Sequence, residues 1–102
     1  MNILQAFSKK EDINYKELVA RGAVILDVRS KEEFDGGHIK GAVNLPLDVL
    51  ATVSVIASDK NTVIITCCMS GGRSSIAVSA LQSLGFSNVY NGGGWKVLQE
   101  KL

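Results

Sequence analysis

The segment Thr62–Cys67 limits the fold of this chain more than any other part of the sequence. Five of its six residues are β-branched, which is typical of a strand packed on both faces of a parallel sheet. A second nearly continuous apolar run, Ala23–Val28, has the same character. Parallel strands are joined by long crossover connections that usually contain a helix, so these two runs predict alternating strands and helices.

Helix and strand patterns alternate along the rest of the chain. Two short helices are predicted where a capping residue is followed three positions later by a glutamate, at Asn14 and at Ser30. Apolar residues at helical spacing predict further helices, and Gly85 ends the clearest of them. These further elements are helices at Leu47–Ile56, Ser74–Leu84 and Trp95–Leu102 and strands at Ala42–Leu45 and Asn88–Tyr90, with a glycine turn at Asn91–Gly94.

Length and composition predict a single domain. The 102 residues are close to a common domain size, and 46% of them are apolar, so the chain can bury a core. We therefore expect residues 1–102 to form one α/β domain. Within it, residues 1–13 are expected to be a loosely ordered N-terminal arm or a cover for the sheet edge.

Charge and hydropathy argue against several classes of protein. The net charge is +1, with eleven basic and ten acidic residues and no basic stripe, so neither nucleic acid nor a membrane surface is an expected partner. No apolar run approaches the ~20 residues of a membrane helix. The first ten residues lack the pattern of a secretory signal, so a cytoplasmic protein is expected.

The two cysteines, Cys67 and Cys68, are adjacent in sequence. Neighbouring residues are poorly placed to form an ordinary disulfide, and free thiols indicate a reducing compartment. Cys67 belongs to the β-branched run, which favours a buried core residue. Cys68 lies where the strand gives way to a loop, at the carboxyl end of a parallel strand, and sites in α/β sheets form there. This position predicts that Cys68 is the reactive thiol.

The loop that follows Cys68 has the features of a thiolate site. Gly71 and Gly72 allow a tight backbone turn, so that N–H groups can converge on one point. The following helix adds its N-terminal donors and the positive end of its dipole. Arg73 adds a permanent charge with forked donors. Together these groups should lower the pKa of the Cys68 thiol and hold an anion at its sulfur.

Four blocks of sequence, in this order, resemble the rhodanese-homology domain of single-domain sulfurtransferases. The match runs from about Asn14 to Trp95, and its blocks are Leu26–Arg29 with Glu33 and Phe34, Gly37–Pro46, Cys68–Ser74 and Gly85–Trp95. The resemblance implies a five-stranded, mostly parallel sheet flanked by helices on both faces. It also implies that no metal and no organic cofactor take part.

The same resemblance implies a covalent mechanism. Cys68 would accept sulfane sulfur from thiosulfate or another persulfide and pass it to cyanide, a small thiol or a partner protein. Cys68 and Arg73 would be catalytic, with backbone amides from Met69 to Arg73 around the persulfide. Asp27 and Arg29 would brace the site from a neighbouring strand end, although a structural ion pair explains them equally well. The predicted donor-binding residues are Met69, Ser70, Gly71, Gly72 and Ser74.

Two other functions stay open at this point. Counted from Cys67, the loop has the Cys-x5-Arg spacing of tyrosine phosphatases and similar arsenate reductases. Against that register, Cys67 belongs to the strand by composition, and Thr66 stands where such phosphatases usually carry histidine. A rhodanese-like domain can also act as a binding module or a persulfide relay for a partner protein, although the intact Cys68 and Arg73 argue against a purely non-catalytic role.

Overall fold

Strands and helices alternate along residues 13–102, the part of the chain that this computed structural model describes. The predicted N-terminal arm, apart from its last residue, lies outside the described residues. None of the described helices has the length and apolar composition needed to cross a membrane. The elements are α1 (Tyr15–Ala20), β1 (Val24–Asp27), α2 (Lys31–Asp35), β2 (Val43–Asn44), a 3-10 helix (Leu47–Val55), β3 (Ile64–Cys68), α3 (Gly72–Ser83), β4 (Val89–Gly94) and α4 (Trp95–Glu100).

The strands form one parallel sheet in the order β2-β1-β3-β4. This confirms the predicted α/β fold class with helices on both faces. The count of five strands was wrong for residues 13–102, which contribute four. Each of the four comes from a strand pattern visible in the sequence, whereas the fifth rested on the resemblance alone.

Alternating side chains of the central strands enter two separate cores. One core lies under α3 and the 3-10 helix and contains Leu26, Ile64 and Cys68. The other lies under α1 and α4 and contains Ile25, Ile65, Cys67, Tyr15 and Leu98. The two adjacent cysteines therefore lie on opposite faces of the sheet.

Two predicted helical features differ in the structure. The segment predicted as a helix at Leu47–Ile56 is a 3-10 helix interrupted by Val49, whose φ and ψ of −116° and 18° are not helical. Four of its nine residues, Val49, Thr52, Val53 and Val55, are β-branched, and such residues lose side-chain freedom in a regular helix. On α3, the spacing of Ile76, Ala80, Leu81 and Leu84 predicts one apolar face, but Ile76 is 59% exposed, while Ala77 and Leu81 are fully buried.

The glycines at the end of β4 are strand residues, so the predicted turn at Asn91–Gly94 was wrong. A Cβ atom on Gly92 would lie 2.8 Å from both the Leu98 Cδ2 atom and the Thr66 carbonyl oxygen. The strand therefore runs so close to β3 and α4 that no side chain fits at this position. Glycine is required here because the backbone of β4 approaches β3 and the Leu98 side chain so closely.

A buried ion pair fixes the carboxyl end of β1. Asp27 and Arg29 are 0% and 2% exposed, and the Arg29 Nε and Nη2 atoms donate to the two Asp27 carboxylate oxygens at 2.9 and 2.8 Å. The same Nη2 donates to the Gly37 carbonyl oxygen at 2.7 Å. The guanidinium carbon lies 4.9 Å from the centre of a Trp95 ring. Asn44 completes the arrangement, since its amide donates to the Asp27 and Arg29 carbonyl oxygens at 3.0 and 2.9 Å.

We expect Gly92→Ala to destabilise the fold, because the added methyl group must displace backbone or the Leu98 side chain. Forced overpacking of this kind lowers the free energy of unfolding by about 1–3 kcal/mol, which urea denaturation measures. The matched control is Gly72→Ala, where a Cβ meets no atom within 4 Å and the residue is helical. Equal stability of the two variants would contradict the close approach at Gly92.

We expect Asp27→Asn to lower the free energy of unfolding by about 3–5 kcal/mol, because Arg29 would keep its charge inside the protein without its partner. Urea denaturation measures this loss. The control is Asp35→Asn, which removes the carboxylate of an exposed ion pair with Lys31 and should change stability far less. An Asp27→Asn protein as stable as the control would show that the ion pair does not hold this strand end.

Candidate active site at Cys68

The loop after β3 folds back onto the sulfur of Cys68. Gly71 has a φ of 107°, a left-handed conformation that disfavours residues with a side chain. This turn brings the Gly71 N–H to 3.0 Å from the Cys68 Sγ, and the Ser74 N–H in the first turn of α3 lies at 3.3 Å. Two backbone donors from the start of one helix therefore meet at one sulfur atom.

These contacts set the charge state of the Cys68 thiol. Burial by itself raises the pKa of this thiol, since the residue is only 1% exposed. Hydrogen bonds from the backbone and side chain of Ser74 and from the backbones of Gly71 and Ser70 outweigh burial, so the pKa lies below its ordinary value. The Cys68 thiol therefore ionises more readily than an ordinary cysteine, and the thiolate is the nucleophilic form.

Cys67 has the opposite environment. Its side chain is fully buried in the core under α1 and α4. Burial, with a smaller contribution from the nearby Asp27 charge, raises the pKa of the Cys67 thiol to about 12. Cys67 therefore stays protonated at neutral pH, and the Cys-x5-Arg register places its nucleophile on the wrong side of the sheet.

Arg73 was predicted to offer its charge to an anion at the sulfur, but it forms an ion pair with Glu33. Its Nη1 and Nη2 atoms donate to the two carboxylate oxygens of Glu33 at 2.6 and 2.9 Å. Hydrogen bonds from Arg73 and from the Ser30 backbone lower the pKa of Glu33 to about 2. Sequence reasoning missed this contact because it depends on the strand order: α2 begins just after β1, and β1 lies beside β3, which carries the loop.

The loop is also held from the side of β4. The Ser74 Oγ lies 3.0 Å from the Gly71 carbonyl oxygen and 2.6 Å from the Asn91 Oδ1. The same Asn91 oxygen accepts the Gly93 N–H at 2.9 Å. Asn91 was assigned only to a turn in the sequence, and nothing in the sequence pattern connects it to Ser74.

The other predicted site residues divide into two groups. Met69 and Ser70 are exposed on the outer side of the loop, and Gly72 begins α3. Asp27 and Arg29 belong to the buried ion pair at the end of β1, on the Cys67 side of the sheet. The structure thus gathers Gly71 and Ser74 at the sulfur and places the ion pair at the neighbouring strand end, on the other face of the sheet.

Two cavities flank the loop. One of about 230 Å³ is lined by Met69, Trp95 and Lys96, and the other, of about 420 Å³, is lined by Arg73, Pro46 and Ser30 among others. Because Cys68 itself is almost closed off from solvent, only a small group can reach its sulfur in this conformation. Within residues 13–102, no group of three or more His, Cys, Asp or Glu side chains is placed to hold a metal ion.

Comparison with known proteins identifies the family. The sequence model of the rhodanese-like domain matches residues 12–101. Thiosulfate sulfurtransferase PspE of Escherichia coli is 35% identical over 72 residues, which cover 70% of this chain and 69% of PspE. The adenylyltransferase and sulfurtransferase uba4 of Ogataea parapolymorpha is 33% identical over 88 residues, covering 85% of this chain but only 22% of that protein.

Solved structures agree with the sequence matches. A rhodanese from Escherichia coli, determined with anions, superposes with a TM-score of 0.71 at 31% identity and covers 74% of this chain and 91% of its own. A human single-domain sulfurtransferase superposes with a TM-score of 0.71 at 29% identity and covers 86% and 91% of the two chains. The predicted resemblance is therefore confirmed, and the chain belongs to the rhodanese-like sulfurtransferase family.

Proposed function

We propose that this chain transfers sulfane sulfur through a persulfide on Cys68. The observation that carries the proposal is the pair of backbone N–H groups, from Gly71 and Ser74, that donate to the Cys68 sulfur at 3.0 and 3.3 Å. Preorganised donors of this kind stabilise negative charge at a fixed point without any cost of reorganisation. Family membership and the name of the relative PspE, a thiosulfate sulfurtransferase, support the reaction class.

The proposed first step is a nucleophilic displacement at the terminal sulfur of the donor. The Cys68 thiolate attacks this sulfur of thiosulfate, the new S–S bond forms, and the old S–S bond breaks with its electron pair leaving on sulfite. The product is the Cys68 persulfide anion. A persulfide donor would react in the same way, with a thiolate as the leaving group.

The second step returns the enzyme to its starting state. Cyanide or an acceptor thiolate attacks the outer sulfur of the persulfide, and the electron pair of the broken S–S bond returns to Cys68. Cyanide leaves as thiocyanate, and a thiol leaves as a new persulfide. We propose a small thiol or a thiol of a partner protein as the acceptor, in the cytoplasm.

The proposed cradle of the outer sulfur differs slightly from the range Met69–Arg73. The N–H groups aimed at the sulfur include that of Ser74, one residue beyond this range. Met69 and Ser70 face solvent and would contact the donor at the mouth of the site. Arg73 would act as one half of an ion pair with Glu33, which offsets much of its charge towards the donor.

We expect Cys68→Ser to abolish sulfur transfer and Cys67→Ser to retain it, because only Cys68 has donors aimed at its sulfur. Intact-protein mass spectrometry after incubation with thiosulfate should show a gain of one sulfur on the wild type and on Cys67→Ser. Cyanide should remove this gain. The Cys68→Ser protein should show none.

The same experiment separates the alternatives. A sulfur adduct that depends on Cys67 would overturn the assignment of the nucleophile. Hydrolysis of a phosphate ester that is lost in Cys67→Ser, with no adduct from any donor, would favour the phosphatase register. A persulfide that only a partner protein can remove would identify a relay.

We expect the Cys68 thiol to ionise at lower pH in the folded protein than in the unfolded one, because its pKa is lowered by the loop. Thiolate reactivity should therefore persist in the folded protein as the pH falls below the ordinary cysteine range, and disappear only at the lowered pKa. The measurement is the rate of alkylation by iodoacetamide against pH in the Cys67→Ser variant. The same protein in urea is the reference, with a midpoint at about 8.5. A folded midpoint equal to or above that of the unfolded chain would contradict the loop's effect.

A further inference from the structure

We infer that Glu33 determines donor specificity at this site: by pairing with Arg73 it disfavours doubly charged sulfur donors relative to singly charged ones. This inference rests on the proposed sulfur transfer through Cys68. It concerns a residue that touches neither the sulfur nor the loop backbone within the described chain. Glu33 acts through Arg73 and is therefore a positioning residue.

The pair has the geometry of a strong interaction. Two parallel N–H···O bonds of 2.6 and 2.9 Å join the guanidinium to the carboxylate. The side chains of Arg73 and Glu33 are 38% and 29% exposed, so water screens their charges only in part. Arg73 is the residue immediately before Ser74, whose N–H donates to the Cys68 sulfur. The pair is also close enough to Cys68 for the charge of that thiolate to contribute to the raised pKa of Arg73, after the larger effect of Glu33.

The carboxylate of Glu33 is also held from its other side. The Ser30 N–H and Oγ donate to the Glu33 Oε1 at 3.1 and 3.2 Å, and the Glu33 N–H donates back to the Ser30 Oγ, which completes a capping box at the start of α2. Ser30 thus holds the carboxylate on one side and Arg73 holds it on the other. The lowered pKa of Glu33 keeps it charged at neutral pH.

The other cations beside the loop do not replace the charge that Glu33 cancels. Arg29 is paired with the buried Asp27. Lys96 lines the smaller cavity with its ammonium 5.6 Å from the centre of a Trp95 ring, at the outer wall of the site. The arginine closest in sequence to the sulfur thus has no net charge to offer once its partner is counted. The negative charge of the donor is therefore stabilised mainly by backbone N–H dipoles, which suit one negative charge better than two.

A comparison of two sulfur donors separates the effect of donor charge from the effect of the reaction itself. Thiosulfate is a dianion, and methanethiosulfonate is a monoanion that carries the same terminal sulfur on a sulfonyl group. With either donor the Cys68 thiolate forms an S–S bond and the donor's S–S bond breaks, which releases sulfite or methanesulfinate with the electron pair. The ratio of kcat/KM for thiosulfate to that for methanethiosulfonate measures how well the site accepts the second charge.

The test uses Glu33→Gln, which removes the charge but keeps a residue able to close the capping box. We expect this variant to raise the ratio by about 3- to 10-fold, the size of the effect of one unit charge at several ångströms in a partly screened site. Arg73→Ala should lower the ratio, since it leaves the Glu33 charge uncompensated. The double variant restores a neutral pair and should return the ratio to within about 2-fold of wild type. Asp35→Asn, which removes a charge from the same helix at an exposed pair with Lys31, is the control and should leave the ratio unchanged.

A ratio unchanged in Glu33→Gln, or a double variant no closer to wild type than Arg73→Ala, would overturn the inference. So would an equal loss with both donors, which would indicate only a structural role. Alkylation of Cys68 in the Cys67→Ser background supplies a readout without sulfur transfer. The rate with anionic iodoacetate relative to neutral iodoacetamide should rise in Glu33→Gln and fall in Arg73→Ala. If the wild type used neither sulfur donor, the proposed function would fail, whereas this alkylation ratio would still decide the effect of Glu33.

Discussion

The buried pair of Asp27 and Arg29 is the interaction on which the rest of the site depends. It joins the end of β1 to the Gly37 carbonyl after α2 and to the face of Trp95, and Asn44 ties β2 to the same point. A charged pair without access to water must keep all these partners or lose much of its stability. With the segment after α2 held at Gly37, the first turn of that helix lies where its glutamate reaches the loop of the neighbouring strand. This ion pair lies on the Cys67 side of the sheet, whereas the Cys68 sulfur lies on the other side.

The central strand β3 carries two cysteines that are consecutive in sequence. Successive side chains of β3 point to opposite faces, so Cys67 enters a closed core and Cys68 meets the N–H groups at the start of α3. The pKa directions follow largely from this difference: burial, with a smaller contribution from the Asp27 charge, raises the pKa of the Cys67 thiol, and donors that outweigh burial lower the pKa of the Cys68 thiol. The proposed choice of nucleophile therefore depends on strand register.

Much of the fold was predictable because its signals are local. The β-branched run of β3, the capping box at Ser30 and the glycine loop before α3 each lie within a few residues of sequence, and the structure confirms all three. What could not be predicted depends on contacts between distant segments. Gly92 looks like a turn residue until Leu98 and Thr66 are seen to leave it no room for a side chain. Likewise, Arg73 looks like an open charge until the sheet order brings α2 beside the loop.

Because Arg73 is paired with Glu33, an anionic sulfur at this site must be stabilised mainly by other groups. An unpaired guanidinium beside a thiolate would attract the doubly charged donor thiosulfate. It would also bind the released sulfite, so tighter binding of the donor would come with slower release of the product. Backbone N–H groups carry only partial charge and are fixed in place by Gly71, Ser74 and the Asn91 side chain. In the proposed reaction they would stabilise the sulfur anion at each stage, and they would suit a singly charged donor better than a doubly charged one. In this arrangement Glu33 holds the Arg73 side chain, and the backbone N–H groups would supply the electrostatic stabilisation.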